Sequence, residues 1–265
     1  MAYEPAGTFR MGSDSNDPDA DDDEKPAHHV TLSAFCIDKT EVTVADYRRC
    51  TKEARAGKKC PLAPTTVQWT GVDPRWSEFC NGNRSDRDDH PINCVDWNTA
   101  SNYCEWAGGA LPTEAQWEYA ARGSSGRKYP WGNAPAPGPK LLNACGGECR
   151  AMGKKIFSAD WKVMYEEDDG ASETAPVKRY PMGATPEGVY DLAGNVWEWV
   201  QDMKADYDPS MSKDPVQTKG VQRVLRGGGW FDYDPRWVRA ADRFGLGAGV
   251  RDHNVGFRCA RGSEQ

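Results

Sequence analysis

Apolar and polar residues alternate along Val30-Thr31-Leu32-Ser33-Ala34-Phe35-Cys36-Ile37, the period-two pattern of a strand. A shorter strand-like piece, Thr8-Phe9-Arg10-Met11-Gly12, runs into a turn. Helical patterning begins at three places. Thr43 is positioned as an N-cap before Val44-Ala45-Asp46-Tyr47. Val95-Asp96-Trp97 leads into a helix expected from about Asn98 to Ala107. The clearest start is Leu111-Pro112-Thr113-Glu114-Ala115-Gln116-Trp117-Glu118, where Thr113 and Gln116 have the capping-box spacing. That helix should run to about Arg122 and stop at Gly123. Residues 51–93 read as loop, and 124–188 shows little periodicity, too long a stretch to stay irregular unless metals or disulfides organise it. Two strand-like pieces, Arg223–Arg226 and Val255–Cys259, enclose a Gly-rich, aromatic and charged loop. No internal repeat and no linker divides the chain, so one domain over 1–265 is expected.

Composition narrows this picture. Hydrophobic residues make up 38% and charged residues 28%, and no apolar run approaches the roughly 20 residues of a membrane-spanning helix. Lys+Arg is 33 against Asp+Glu 40, and no basic face is evident, so neither nucleic acid nor membrane insertion is expected. The 27 Gly and 18 Pro argue against a long-helix bundle and for a loop-rich fold. Asn16 to Glu24 is strongly acidic, which fits a solvated loop or, alternatively, capture of calcium. Nine cysteines occur without a CxxC pair, and only four histidines accompany them, which argues against zinc. Disulfides in an oxidising compartment, periplasmic, cell-surface or secreted, are the better reading, with one thiol left over. Met1 leads directly to Tyr3-Glu4-Pro5-Ala6-Gly7 without a signal peptide, and a targeting segment is expected to have been removed.

Several strings, in order, resemble the formylglycine-generating enzyme (sulfatase-modifying factor) family. They are Pro5-Ala6-Gly7-Thr8-Phe9-Arg10-Met11-Gly12, Glu41-Val42-Thr43, His90-Pro91-Ile92-Asn93-Cys94-Val95-Asp96-Trp97 and Leu111 to Gly123. Then follow Tyr129-Pro130-Trp131-Gly132, Tyr190-Asp191-Leu192-Ala193-Gly194-Asn195-Val196-Trp197-Glu198-Trp199, Arg223 to Trp230 and Gly256-Phe257-Arg258-Cys259-Ala260. The resemblance implies an α+β, C-type-lectin-like fold, loop-rich and poor in regular secondary structure. It also implies two calcium sites. One would use the side chains of Asn143 and Asp169 with the carbonyls of Ala144 and Ala171. The other would use Asp191 and Glu198 with the carbonyls of Gly194 and Val196, the mixture of oxygens a hard cation takes. It implies a Cys104–Cys259 disulfide, whereas a second family pair is replaced by Ala121 and the region around Ala240. Proximity in sequence suggests Cys50–Cys60, Cys80–Cys94 and Cys145–Cys149, leaving Cys36 over.

The family holds copper-dependent oxidases that make formylglycine, iron-dependent relatives and purely binding members, so membership does not fix function. The oxidase needs two thiols in the C-terminal loop, because Cu(I) prefers thiolates. Here that loop, 228–255, contains no cysteine, and Gly229 replaces the family's hydroxyl residue. Copper and formylglycine formation are therefore not expected. The iron relatives carry their histidines on an additional helical domain, and His28, His29, His90 and His253 lack a facial-triad spacing. What the loop does offer is aromatic residues among charges, the make-up of a recognition surface. The candidate ligand-binding residues are Phe231, Asp232, Tyr233, Asp234, Arg236, Trp237, Asp242, Phe244, Asp252, His253 and Asn254. Those at 231–234 and 252–254 fall where variable, retroelement-diversified members differ, and Phe, Tyr, Asp, His and Asn are outcomes of randomised adenines in Asn codons. The expected function is a non-catalytic, calcium-stabilised module binding a protein, glycan or small ligand through this loop. The alternative is a family enzyme using non-thiol chemistry, with Asp232, Asp234, Asp242, Arg236, Arg239, Arg243 and His253 supplying acid, base or anion contacts.

Overall fold

A computed structural model describes residues 1–54, 60–134 and 136–263. The N-terminal strands β1 (Ala2–Glu4) and β2 (Gly7–Met11) enter two different sheets. β2 pairs antiparallel with β3 (His28–Leu32), Phe9 opposite Val30. β1 pairs with β4 (Phe35–Ile37), and β4 with the last strand, Ala260–Gly262. The expected single strand over 30–37 is thus two strands in two sheets. Ser33 is where they part: its N–H and its hydroxyl both donate to the Asp214 carboxylate, at 2.7 and 2.8 Å, which satisfies the backbone outside either ladder.

Helix α1 (Val44–Ala54) starts where expected, the Thr43 hydroxyl accepting from the Asp46 N–H at 3.1 Å. Helix α2 (Trp97–Trp106) is capped by Asp96, which accepts from the Thr99 N–H. Helix α3 (Glu114–Arg122) carries the full capping box, Thr113 with Gln116, and ends at Gly123. Helix α4 (Gly147–Phe157) lies inside the stretch that read as irregular. Its apolar positions Cys149, Met152, Ile156 and Phe157 do follow helical spacing, but Arg150, Gly153, Lys154 and Lys155 interleave them.

Four disulfides join Cys50–Cys60, Cys80–Cys94, Cys104–Cys259 and Cys145–Cys149; Cys36, on β4, is free. The Cys104–Cys259 bond spans 155 residues, a closure of about 5 kcal/mol in the chain-entropy account. Such a set belongs to a protein matured in an oxidising, extracytoplasmic environment. Among the described residues no helix is long and apolar enough to cross a membrane.

The central sheet has four strands, in the order β7 (Phe244–Leu246), β6 (Arg223–Arg226), β5 (Trp197–Met203), β8 (Val255–Gly256). Only β5 and β8 run parallel. The expected strand 255–259 leaves the sheet after Gly256, and the chain rejoins the edge of β4 as β9 (Ala260–Gly262). One sheet face presents Trp197, Trp199, Leu225 and Val255 to α1 and α2. The opposite face packs Val200 and Val224 against Trp117 of α3. Between α3 and the sheet lies a layer of buried charge. Arg226 pairs with Glu118 at 2.5 Å, and Arg243 holds Glu114 through two bonds of 2.6 and 2.9 Å. Arg239 holds Glu24 in the same two-bond manner. The acidic stretch is therefore more than a solvated loop: Glu24 is fully buried, and Asp19 and Asp23 reach Lys128 and Lys204.

Candidate functional site

Beyond β6 the backbone turns sharply at Gly227 and Gly228, whose φ angles are 97° and 74°. A side chain at Gly228 would meet the Val238 methyl at 2.7 Å, so the left-handed turn and the tight packing both call for glycine. The turn drives Trp230 into the interior, where its indole N–H donates to the His253 carbonyl. The loop then folds back over the exposed end of the central sheet and leaves a cleft of about 400 Å³.

Every strand of that sheet contributes to the floor: Trp197 from β5, Leu225 from β6, Phe244 and Leu246 from β7, and Val255 from β8. The loop supplies Asp232, Trp237, Asp242, Asp252 and Asn254, and Asp21 arrives from the acidic stretch. Burial pushes the Asp232 carboxyl up to about 7, against the opposing hydrogen bonds from the Gly229 N–H and the Trp197 side chain. Burial likewise raises Asp252 to about 6 and Asp242 well above the usual carboxylate range, the latter helped by Glu24. Asp232 and Asp252 are thereby poised to change protonation near neutral pH.

Of the eleven ligand-binding candidates, six line this cleft: Asp232, Trp237, Asp242, Phe244, Asp252 and Asn254. The others lie elsewhere. Tyr233 stacks edge-on against Trp237 with centroids 4.9 Å apart. Asp234 and Arg236 pair with each other at 2.7 Å on the outer side of the loop. Phe231 and His253 belong to an aromatic cluster around Trp76, which lies flat on the His253 ring at 4.2 Å. Burial lowers the His253 pKa to about 3, so the ring stays neutral. Sequence reasoning missed Trp197, Leu225, Leu246, Val255 and Asp21, because no local pattern links the floor of a sheet, or a residue 200 positions upstream, to a loop.

The two predicted calcium sets differ in how well they fit an ion. Around the first, Asn143 Oδ1 is buried without a hydrogen-bond partner among the described residues, and so are both oxygens of Glu148. Burial raises Glu148 to about 7, and it raises Asp169 as well. Glu148, Asp168 and Asp169 can place one oxygen each within 4.8 Å of one another, so Glu148 and Asp168 join a set that the sequence reading confined to Asn143, Ala144, Asp169 and Ala171. Asp169 also accepts from the N–H groups of Ala144 and Ala171 and from the Tyr165 hydroxyl. These oxygens, buried on Asn143 and Asp169, partly buried on Glu148 and exposed on Asp168, are the hard donors calcium takes.

In the second set, Glu198 gives both oxygens to Arg258, at 2.7 Å each, and one of them also to the Trp117 indole. Asp191 accepts from the Lys178 N–H, and burial raises it to about 6. Gly194, at φ 79°, brings its backbone so near the Asn143 carbonyl that a Cβ would sit 2.3 Å from that oxygen. A buried, unpartnered oxygen of Glu41 lies beside Asp191 and Glu198, which raise its pKa further after burial. The second set thus offers Asp191 and Glu41 more readily than Glu198.

No cysteine lines the cleft; eight of the nine are in disulfides and Cys36 is on β4. The architecture has close counterparts. The chain superimposes on PvdO from Pseudomonas aeruginosa with a TM-score of 0.74 and 27% identity, over 98% of this chain and 93% of that one. It is 34% identical to the formylglycine-generating enzyme of Streptomyces coelicolor over 98% of this chain and 88% of that protein. It is 30% identical to the inactive C-alpha-formylglycine-generating enzyme 2 of Bos taurus, over 99% and 88%. Residues 1–263 match the sulfatase-modifying factor enzyme 1-like domain. With the mixed sheet, the Cys104–Cys259 bond and the loop over the sheet end in place, this extent of likeness makes the chain a member of the formylglycine-generating enzyme, or sulfatase-modifying factor, family.

Proposed function

We propose that this family member is a calcium-stabilised binding module whose ligand seats in the cleft under loop 228–255. The observation that carries the reading is the convergence of two separated strings, 231–234 and 252–254, at one place. Asp232, Asp252 and Asn254 line the same cleft, and Phe231 meets the His253 ring at 5.5 Å. The cleft combines apolar walls with a few polar groups, the make-up of a small-ligand or side-chain site. The loop carries no thiolate pair, which sets the chain apart from a copper oxidase, and a family relative described as inactive covers 88% of its own length with this chain. The partner is a protein, a glycan or a small molecule. The loop is also where diversification would alter recognition without disturbing the core.

The test is a screen of the purified protein against arrayed glycans and displayed peptides, repeated with Trp237→Ala. A ligand that binds the parent and loses at least about tenfold in affinity to the variant, at unchanged melting temperature, supports the reading. Ligands that bind both equally place the function outside the cleft. The calcium part has its own measurement. Metal analysis should find calcium, and a chelator should lower the melting temperature by several degrees, as should Asp169→Ala. Calcium-free protein whose melting curve ignores the chelator would refute it.

A second reading rests on the raised carboxyls. Asp232 near 7 and Asp252 near 6 could serve as general acid and base, which would make the chain an enzyme of non-thiol chemistry. Turnover of a bound ligand that Asp232→Asn abolishes without loss of binding would favour it.

A further inference from the structure

Four carboxylates line the cleft, Asp21, Asp232, Asp242 and Asp252, and the lining contains one cation, Arg243. That guanidinium is already committed. Its Nε and one Nη hold Glu114, and the other Nη donates to the carbonyls of Asp23 and Ala205 at 2.6 and 3.1 Å. Asp242 is 3% exposed, and its carboxylate accepts no hydrogen bond from any described residue. The nearest cation to it, Arg239, is 3.9 Å away and is bound to Glu24. Asp252 is partly exposed and the His253 and Asn254 N–H groups favour its charged form, but its Oδ1 is buried without a partner among the described residues. Its neighbour at 3.4 Å is the Nε2 of His253, a ring that burial keeps neutral. A desolvated carboxylate without a partner is costly, and an entering cation removes that cost. Aromatic faces complete the surroundings: Trp197 and Phe244 have centroids 5.6 Å apart, and Trp237 stands in the lining with them. Such faces attract cations as well as apolar groups.

We propose that the cleft takes an organic cation, an ammonium or guanidinium group on an apolar stem. This rests on the reading of the cleft as the ligand site and adds the chemical class of the ligand. A volume of about 400 Å³ with five apolar or aromatic floor residues is made for a stem as well as a charge. A bare metal ion fits less well. Among the described residues the one carboxylate cluster here is Asp21, Glu24 and Asp242, and both Glu24 oxygens are taken by Arg239.

The cation could be a free amine or a side chain of a peptide, and the probes separate the two: 2-phenylethylamine, and a blocked Ala-Arg-Ala tripeptide. The neutral control is 2-phenylethanol. Tryptophan fluorescence follows binding, since Trp197 and Trp237 are in the wall. At pH 7.5 at least one cationic probe should bind, with 2-phenylethanol at least about tenfold weaker. Asp242→Asn and Asp252→Asn should each weaken the cationic probe by about tenfold while the fold, judged by melting, persists. Acidification to pH 5 should weaken it too. Protons then neutralise Asp232, which faces Asp252 and Asp234, and Asp252, which faces Asp232 and the neutral His253 ring.

Equal binding of the alcohol and the amine would overturn the inference and leave the cleft a ligand site. Absence of binding by both cationic probes, or affinity unaffected by both variants, would overturn it as well. Quenching by calcium alone that the amine cannot displace would assign the carboxylates to a metal instead. Failure of the glycan and peptide screen in addition would bring down the binding-module reading itself.

Discussion

Two sets of secluded charges draw on residues 226–243, and they are handled in opposite ways. Beneath α3, each charge has a geometric partner: Arg226 with Glu118, Arg243 with Glu114, Arg239 with Glu24. The neighbouring Arg residues pull the carboxyls of Glu24 and Glu114 below their ordinary range in spite of burial. In the cleft, Asp232 and Asp242 are buried and Asp252 is partly exposed; among the described residues none has a cation within hydrogen-bonding reach, and burial pushes all three upward. The same residue chemistry therefore serves as scaffold where it is paired and as an open valence where it is not. Only the second can gain by meeting something from outside.

Breaking a pair in the scaffold should be the larger injury. Glu118→Ala takes from the fully buried Arg226 its closest carboxylate and leaves it only Glu114, 3.4 Å away and already held by Arg243, so a loss of about 3 kcal/mol in urea unfolding is expected. A loss below about 1 kcal/mol would mean that Arg226 finds water and that the contrast with the cleft is false.

The cleft should respond with the other sign. Asp232 has a folded-state pKa near 7, against an ordinary value of 3.8. Its contribution to stability is therefore fully present below about pH 4 and is lost as pH rises to about 7. Asp232→Asn should flatten that part of the stability profile and raise stability at pH 8 by about 1 kcal/mol. A variant with the parental slope between pH 4 and 7 would remove Asp232 from the set of unpaired charges. Glu24 and Glu114, whose folded values lie below their ordinary one, contribute in reverse: their share is lost as pH falls through the acid range.

The smallest effect calibrates both. Arg10 and Asp14 form an ion pair with both side chains about half exposed. Asp14→Ala should change stability by no more than about 0.5 kcal/mol, read from the same urea curves. A larger change would show that charge in general, rather than its seclusion, governs this protein.

Legibility in the sequence followed the range of the interactions. The α3 capping box was readable because Thr113 and Gln116 are three residues apart and bond each other's backbone. The three short-range disulfides were readable from proximity, but Cys104–Cys259 only from the family resemblance, since nothing local connects residues so far apart. Helix α4 is hidden in the sequence because charges and Gly153 dilute its apolar stripe, and because a disulfide from Cys145, just before the helix, to Cys149 in its first turn and the packing of Phe157 on Trp76 help to hold it. The cleft was half readable. Its loop residues lie within the single segment 228–255, whereas Leu225 and Val255 read as ordinary strand residues and Trp197 carried only the family resemblance. The pairing of Glu118 with Arg226 was invisible, because a charged residue in a helix pattern reads as solvent-facing until a partner 108 positions away is known.

The three-stranded sheet in which β1 and β9 flank β4 has a practical consequence. Ala2 and Ala260 both lie opposite Ile37, and Glu4 and Gly262 both lie opposite Phe35. Two strand spacings and a short run along the strands separate residue 2 from residue 262, a gap of roughly 10–15 Å. A linker of about four residues would bridge it. The polypeptide could then be recut at an exposed turn, or set into a surface turn of a carrier protein, with its recognition face undisturbed.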